Sequence, residues 1–365
     1  MRYINEFRNP HLARALVAQI RREAEPPVRI MEFCGGHTHA IFRHGLRQLL
    51  AGKVVLSSGP GCPVCVTAAA DLDRAIALAS VPKLLLTTFG DMLRIPGSRG
   101  SLQDARAQGA DVRIVYSPAD AVALARENPA RQVVFLGVGF ETTAPGIAAA
   151  VLQAEAEGVP NFSVLSLHKL TPPAIRAVLD TGETKINAIL GPGHVSAIIG
   201  SEAWRFLPED YGISLAVSGF EPLDILGATA ALVHAVNKER APQLLNSYGR
   251  SVRPEGNRVA QLLLDQVFRV EAAEWRGFGT IPASGLVFRE EYAHRDAAQL
   301  FPVTVMPAKE PPGCCCDEVL RGVIAPDACA LFRRVCSPRN PVGPCMVSAE
   351  GACAAYFQYG GDDLA

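Results

Sequence analysis

Eight short apolar runs set what this chain can fold into: Val28–Phe33, Val54–Ser58, Leu84–Thr88, Val112–Tyr116, Val133–Leu136, Phe162–Leu167, Ile186–Leu190 and Ile213–Val217. A strand with one wet face alternates apolar and polar residues. These runs do not, which is the pattern of parallel strands covered on both faces. Each is followed by a glycine-bearing loop and a helical pattern, so the unit is strand–helix–strand with right-handed crossovers. The expected class is α/β: two similar domains with four-stranded, mostly parallel sheets flanked by helices, plus a C-terminal, mainly helical or irregular module. The division by halves gives residues 1–27 as an N-terminal helix on the body, 28–125 and 126–228 as the two α/β domains, and 229–365 as a helical linker and cysteine-rich domain.

Ligands of such sheets bind beyond the carboxyl ends of the strands, and the unusual motifs fall there. CGGHTH (34–39) follows the first run, SGPGCPVC (58–65) the second and TTFGDMLRIPG (87–97) the third. GVGFETT, GPGHVS and SGFEP follow the fifth, seventh and eighth. The net charge of −1 and the lack of a long basic run argue against a nucleic-acid or membrane-surface protein. No apolar run is long enough to span a bilayer. The charged N-terminus, MRYINEFRNPHLARALVAQIRREAE, reads as an amphipathic helix without a signal-peptide core. A cytoplasmic protein is expected.

The ten cysteines are not scattered: Cys34, Cys62 and Cys65 precede a long cysteine-free stretch, and seven more lie from Cys314 to Cys353. In a reducing compartment such clustering points to metal or redox chemistry rather than disulfide scaffolding. Cys62-Pro63-Val64-Cys65 precedes a predicted helix, whose amide dipoles favour a thiolate. A dithiol/disulfide couple is favoured there over half of a structural zinc site. Cys34 sits on a turn before Gly35 and Gly36, which permit close backbone approach. With His37, His39 and His44 it could form a metal site, since thiolate and imidazole both suit transition metals; packing or helix capping is the alternative for each histidine. Glu141 and His194 hold corresponding loop positions as polar cleft walls, with capping by Thr142 or Thr143 as the bland account of GFETT. Asp91 and Arg94 are spaced for an ion pair. In the tail, fourteen residues separate Cys314 from Cys329, six Cys329 from Cys336, eight Cys336 from Cys345 and seven Cys345 from Cys353, with no histidine among them. An all-cysteine set suits an iron–sulfur cluster or structural zinc.

Taken together, CGGHTHAIFRHGL, GPGCPVC, TFGDMLRIPGS, GFETTAP, GPGHVSAIIG, SGFEPLDIL and the tail GPCMVSAEGACAAY resemble the HypD family of nickel–iron hydrogenase maturation factors, from about Phe33 to Tyr359. Two departures are visible: Ala68 stands where the pattern has proline, and Cys314-Cys315-Cys316 replaces C-x-C, leaving the first cluster ligand open among neighbours. The resemblance implies an assembly scaffold with redox activity, on which the hydrogenase Fe(CN)2CO group is built. It implies Cys34 as ligand of a mononuclear iron carrying CN and CO, with His37 nearby, and Cys62/Cys65 as the redox pair. It implies a 4Fe-4S cluster on Cys314, Cys329, Cys336 and Cys353, leaving Cys316 and Cys345 as a second thiol pair. A small HypC-type chaperone would share the iron, and a HypE-type partner would deliver cyanide. The histidines would shape the cleft or donate hydrogen bonds to cyanide nitrogen. The alternatives are a free-standing cluster-coupled thiol–disulfide oxidoreductase and a structural zinc protein.

Overall fold

The computed structural model describes residues 5–360. Its strands, in chain order, are β1 Val28–Glu32, β2 Val54–Ser58, β3 Leu84–Thr88, β4 Val112–Ile114, β5 Gln132–Gly137, β6 Phe162–Ser166, β7 Ala188–Pro192, β8 Ser214–Ser218, β9 Leu244–Asn246, β10 Phe268–Trp275 and β11 Gly279–Phe288. All eight apolar runs are strands. They form two parallel sheets flanked by helices, as the lack of alternation requires: every residue of β3, β7 and β8 is buried.

The grouping differs from a division by halves. One sheet runs β2-β1-β7-β8-β9 and the other β4-β3-β5-β6. The chain lays down β1 and β2, builds the whole second sheet, and returns to add β7 beside β1, pairing Ile30 with Ala188. A boundary between residues 125 and 126 therefore falls inside the second sheet, after β3 and β4 and before β5 and β6. Parallel runs buried on both faces look alike in sequence, so the pattern reveals that strands exist but not which edge each one joins. The first sheet also gains a fifth short strand, β9.

This topology gives each sheet a point where the strand order reverses. β1 has β2 on one side and β7 on the other; β3 likewise lies between β4 and β5. Crevices open at such points, at the carboxyl ends of the strands. Cys34 lies just past β1 and His194 just past β7, so both stand at the first of these crevices.

The expected N-terminal helix is Pro10–Glu23, its start fixed by Asn9, whose side chain accepts from the His11 and Leu12 amides. It lies against the long helix Pro222–Lys238 and buries Ile20. Residues 1–4 lie outside the described set. The glycine- and proline-containing stretch after Phe268 is an antiparallel hairpin, β10–β11, that the sequence reading did not anticipate. The tail is irregular, with short helical pieces at Cys316–Leu320, Pro326–Ala328, Pro344–Met346 and Ala352–Tyr359. No described helix is long and apolar enough to cross a membrane.

Candidate metal and redox site

Cys34 caps the helix Gly35–Arg43 in extended backbone, directly after β1. Two segments are seated on this turn. A Cβ on Gly61 would lie 2.3 Å from the Cys34 nitrogen and 2.4 Å from the Phe33 carbonyl carbon, and the Gly35 amide donates to the Gly61 carbonyl at 3.1 Å. A Cβ on Gly35 would lie 2.3 Å from the Glu350 carbonyl oxygen. The glycines thus admit close approach of backbone from the loop before CPVC and from the tail. Cys34 is partly exposed, yet the desolvated surroundings of its sulfur push its thiol up to about 12, with the Glu350 carboxylate adding to the shift and the Gly36 and His37 amides opposing it.

Beneath the turn, Glu32 is 2% exposed. It accepts from the Cys34 amide at 3.0 Å and from the Thr38 hydroxyl. Burial raises its carboxyl to about 8. His37 is fully buried and held near 4 by desolvation, so its imidazole is neutral at pH 7. Its Nε2 lies 3.0 Å from the Gly219 carbonyl oxygen and 3.3 Å from that of Ser218, both of which can only accept. The proton therefore sits on Nε2, and Nδ1, buried without a partner, carries a lone pair. His37 thus spends its one ring N–H on these two carbonyls, whereas His194 is exposed. The Phe220 ring joins the two imidazoles, 4.6 Å from His37 and 3.9 Å from His194. His39 instead meets Tyr359 of the tail helix, 3.3 Å from its hydroxyl.

Cys62 caps the short helix Pro63–Val66, and its sulfur accepts from the Cys65 amide at 3.3 Å. The two sulfurs are bonded as a disulfide, with Cα atoms 5.3 Å apart. Cys62 is 4% exposed and Cys65 fully buried. The Cys65 sulfur lies 4.0 Å from the Pro344 carbonyl oxygen, directly before Cys345. Cys62, Cys65, Cys316 and Cys345 belong to one packed cluster, with Cys314 and Cys353 against it.

All seven tail cysteines line a single cavity, together with Val319, Leu331, Phe332, Gly343 and Met346. Six of the thiols meet another: Cys316 hydrogen-bonds Cys314 and Cys345, Cys345 also meets Cys353, and Cys315 meets Cys329, while the Cys336 sulfur accepts from the Val342 amide at 3.4 Å. Gly343 makes room for Cys314, whose sulfur would lie 2.6 Å from a Cβ there. Among the described residues, no three His, Cys, Asp or Glu side chains are grouped to hold a single ion; the thiols surround a space. An all-sulfur donor set around an apolar cavity fits an iron–sulfur cluster.

The model of the HypD family, described as "Hydrogenase formation hypA family", matches residues 11–360. The chain belongs to the HypD family. It is 48% identical to the hydrogenase expression/formation protein HupD of Azotobacter chroococcum mcd 1, over 99% of this chain and 97% of that protein. It is 47% identical to the hydrogenase maturation factor HypD of Rhodobacter capsulatus over 99% of each chain, and 44% identical to that of Escherichia coli K12 over 98% of each. The maturation factors of this family are thus matched along their whole length.

In this HypD-family chain the other expected groups are placed elsewhere. Both Glu141 oxygens are engaged by Thr171, through its amide at 2.7 Å and its hydroxyl at 2.8 Å, at the start of the helix Thr171–Asp180. Burial raises Glu141 to about 7. Thr143 occupies the cap position of its helix without making a side-chain cap bond. Asp91 and Arg94 do not pair: Asp91 accepts from Ser348 at 3.2 Å, and Arg94 donates to the Pro338 carbonyl. Both reach the tail instead, which a local reading of DMLR could not show. Sequence reasoning also missed Arg276. Its side chain is 1% exposed, donates to the Thr67 carbonyl and ion-pairs with Glu310, so the hairpin tip ties the CPVC loop to the tail. Glu32 had a visible signal, a lone carboxylate ending a strand expected to be buried. Phe220 was marked only by its place in SGFEP after the eighth strand, and Arg276 had no signal.

A C-x-x-C pair at a helix start is expected to cycle between disulfide and dithiol. Mass-tagging of thiols in oxidised and in reduced protein should show a two-thiol change confined to the peptide of Cys62 and Cys65. Tight zinc binding by this pair, with no response to mild oxidant, would contradict that expectation.

Proposed function

We propose that this chain is the scaffold on which the Fe(CN)2CO group of a nickel–iron hydrogenase is assembled. One observation carries the reading: the loop of the Cys62–Cys65 pair and the tail at Glu350 both pack closely on the Cys34 turn, and the thiol pair shares a packed cluster with Cys316 and Cys345, so a lone thiol, a thiol pair and a cysteine-lined cavity adjoin. The iron is cargo. Cys34 supplies a single protein bond and leaves other positions for diatomic ligands and for a ligand from a HypC-type chaperone, while a HypE-type partner delivers cyanide. Membership in a family of hydrogenase maturation factors supports the same reading.

Cys314, Cys329, Cys336 and Cys353 would hold a 4Fe-4S cluster, which supplies electrons one at a time when bound. The protein's own step is thiol–disulfide exchange. Cys345, its proton taken by the neighbouring Cys316 thiolate, attacks Cys65 and releases the Cys62 thiolate; Cys316 then passes that proton on, attacks Cys345 and releases the Cys65 thiolate. Two electrons move: Cys62 and Cys65 end as a dithiol and Cys316–Cys345 as a disulfide. The mutual contact of Cys316 and Cys345, and the proximity of Cys65 to Pro344, support this order. The burial of Cys62 and Cys65 weighs against a free-standing oxidoreductase, because neither sulfur is open to attack a small external disulfide.

The test is infrared spectroscopy of the protein purified without oxygen together with its chaperone. Bands of iron-bound CN and CO are expected, on brown protein holding about four irons and four sulfides per chain beyond the mononuclear iron. Colourless protein with stoichiometric zinc, or steady turnover of a small disulfide without any partner, would overturn the reading.

A further inference from the structure

The aromatic ring of Phe220 stands against Gly36 on the same side as the Cys34 sulfur: a Cβ at Gly36 would lie 3.1 Å from the ring and 3.6 Å from the sulfur. The ring is also the middle layer of a stack, tilted 24° to His37 on one side and 30° to His194 on the other. Tyr248 meets its edge at 90°. The loop that carries Phe220 grips His37 a second way, through the carbonyls of Ser218 and Gly219. The stack therefore runs from a fully buried imidazole, through a half-buried phenyl ring, to an exposed imidazole. His37 keeps an unpartnered buried nitrogen, Nδ1, at the inner end. Leaving such an acceptor unsatisfied is unfavourable, so a fold retains it where a ligand or a fixed ring orientation requires it.

We propose that Phe220 is the positioning residue of the Cys34 centre: its ring fixes both imidazoles in one orientation and forms the apolar wall that keeps water from the Cys34 sulfur and whatever is bonded to it. Neutral rings stacked at these distances attract each other beyond the burial of their area, which favours one rotamer of each imidazole. A phenyl wall suits small, weakly polar ligands such as diatomics on a metal; water gains nothing against it. A leucine fills part of the volume but stacks on neither imidazole.

The inference rests on Cys34 being the iron-holding thiol, so its test uses iron-free protein. Phe220→Leu is compared with Phe220→Tyr, which keeps the ring. Alkylation of Cys34 by iodoacetamide, mapped by peptide mass spectrometry, is expected to quicken roughly tenfold in the leucine variant, because access governs thiol reactivity. The ring-proton NMR signals of His37 and His194 should lose the upfield displacement imposed by the stacked ring. Both readouts should return to the wild-type value with tyrosine. Where the leucine variant does not fold, Phe220→Met, which also lacks a ring, takes its place. Wild-type alkylation and unchanged imidazole signals in a folded ringless variant would overturn the proposal. A fast-alkylating variant from a protein that never shows CN or CO bands would instead leave the wall standing and remove the iron reading.

Discussion

If the proposed function holds, Cys34→Ala is expected to abolish the CN and CO infrared bands of the complex with the chaperone while leaving the fold and the proposed cluster of the tail in place. The separation follows from where the side chain sits. Cys34 is partly exposed and belongs to none of the packed apolar clusters, so removing one sulfur leaves little cavity. The loss should stay below the ~2–5 kcal/mol of truncating a large core residue. The turn itself is held by backbone: the Cys34 amide donates to Glu32 and the Gly35 amide to Gly61, and alanine keeps both bonds. The tail cavity draws on Cys314 to Cys353 and not on Cys34. Thermal melting and cluster absorbance should therefore track the wild type, whereas the bands and hydrogenase maturation vanish. Bands at full intensity would put the iron on another ligand. Loss of cluster and bands together would make Cys34 structural.

That separation could be drawn from sequence only in part. The eight strands, the position of Cys34 after the first, the helix cap at Cys62 and the crowded tail thiols all rest on local signals: unbroken apolar runs, glycines and cysteine spacing. What could not be read was anything set by which strand lies beside which. β7 returns to β1 across more than a hundred residues, and that return places His194 opposite His37. No local pattern encodes it. The same holds for Asp91 and Arg94, three residues apart within one turn, which look like partners until the tail supplies Ser348 and Pro338. Glu141 shows the converse. A carboxylate after a strand looks like a cleft wall, but two donors on Thr171 meet both its oxygens. The hairpin β10–β11 was hidden because its glycines and proline read as loop, although Trp275 and Phe288 anchor it in the core.

Gly61→Ala should damage the site as badly as removing Cys34, although no reactive group is touched. The added Cβ would stand 2.3 Å from the Cys34 nitrogen, 2.4 Å from the Phe33 carbonyl carbon and 2.6 Å from the Cys34 Cα. All three are backbone atoms, so no side-chain rotation relieves the contact. Either the end of β1 or the loop Gly59–Cys62 must move. Moving the loop breaks the bond from the Gly35 amide to Gly61 and strains that from the Gly59 amide to the Glu32 carbonyl. Overpacking of this kind is unfavourable by ~1–3 kcal/mol, and each lost hydrogen bond by ~1 kcal/mol. A depressed but cooperative melt is expected, with the tail's cluster retained. Gly146→Ala is the control. It lies inside the helix Ala144–Ala156 with nothing within 4 Å of a Cβ, and alanine is the better helix former by ~1 kcal/mol. It should leave the melt unchanged or raise it, with the infrared bands intact. In Gly61→Ala the displaced residue is followed directly by Cys62, so the thiol pair shifts away from Cys34. The CN and CO bands should weaken severely even though Cys34 is present and alkylates normally in the unfolded chain. Wild-type melting and full bands in this variant would show that the CPVC loop does not rest on the Cys34 turn, and the continuity between lone thiol and thiol pair would be lost with it.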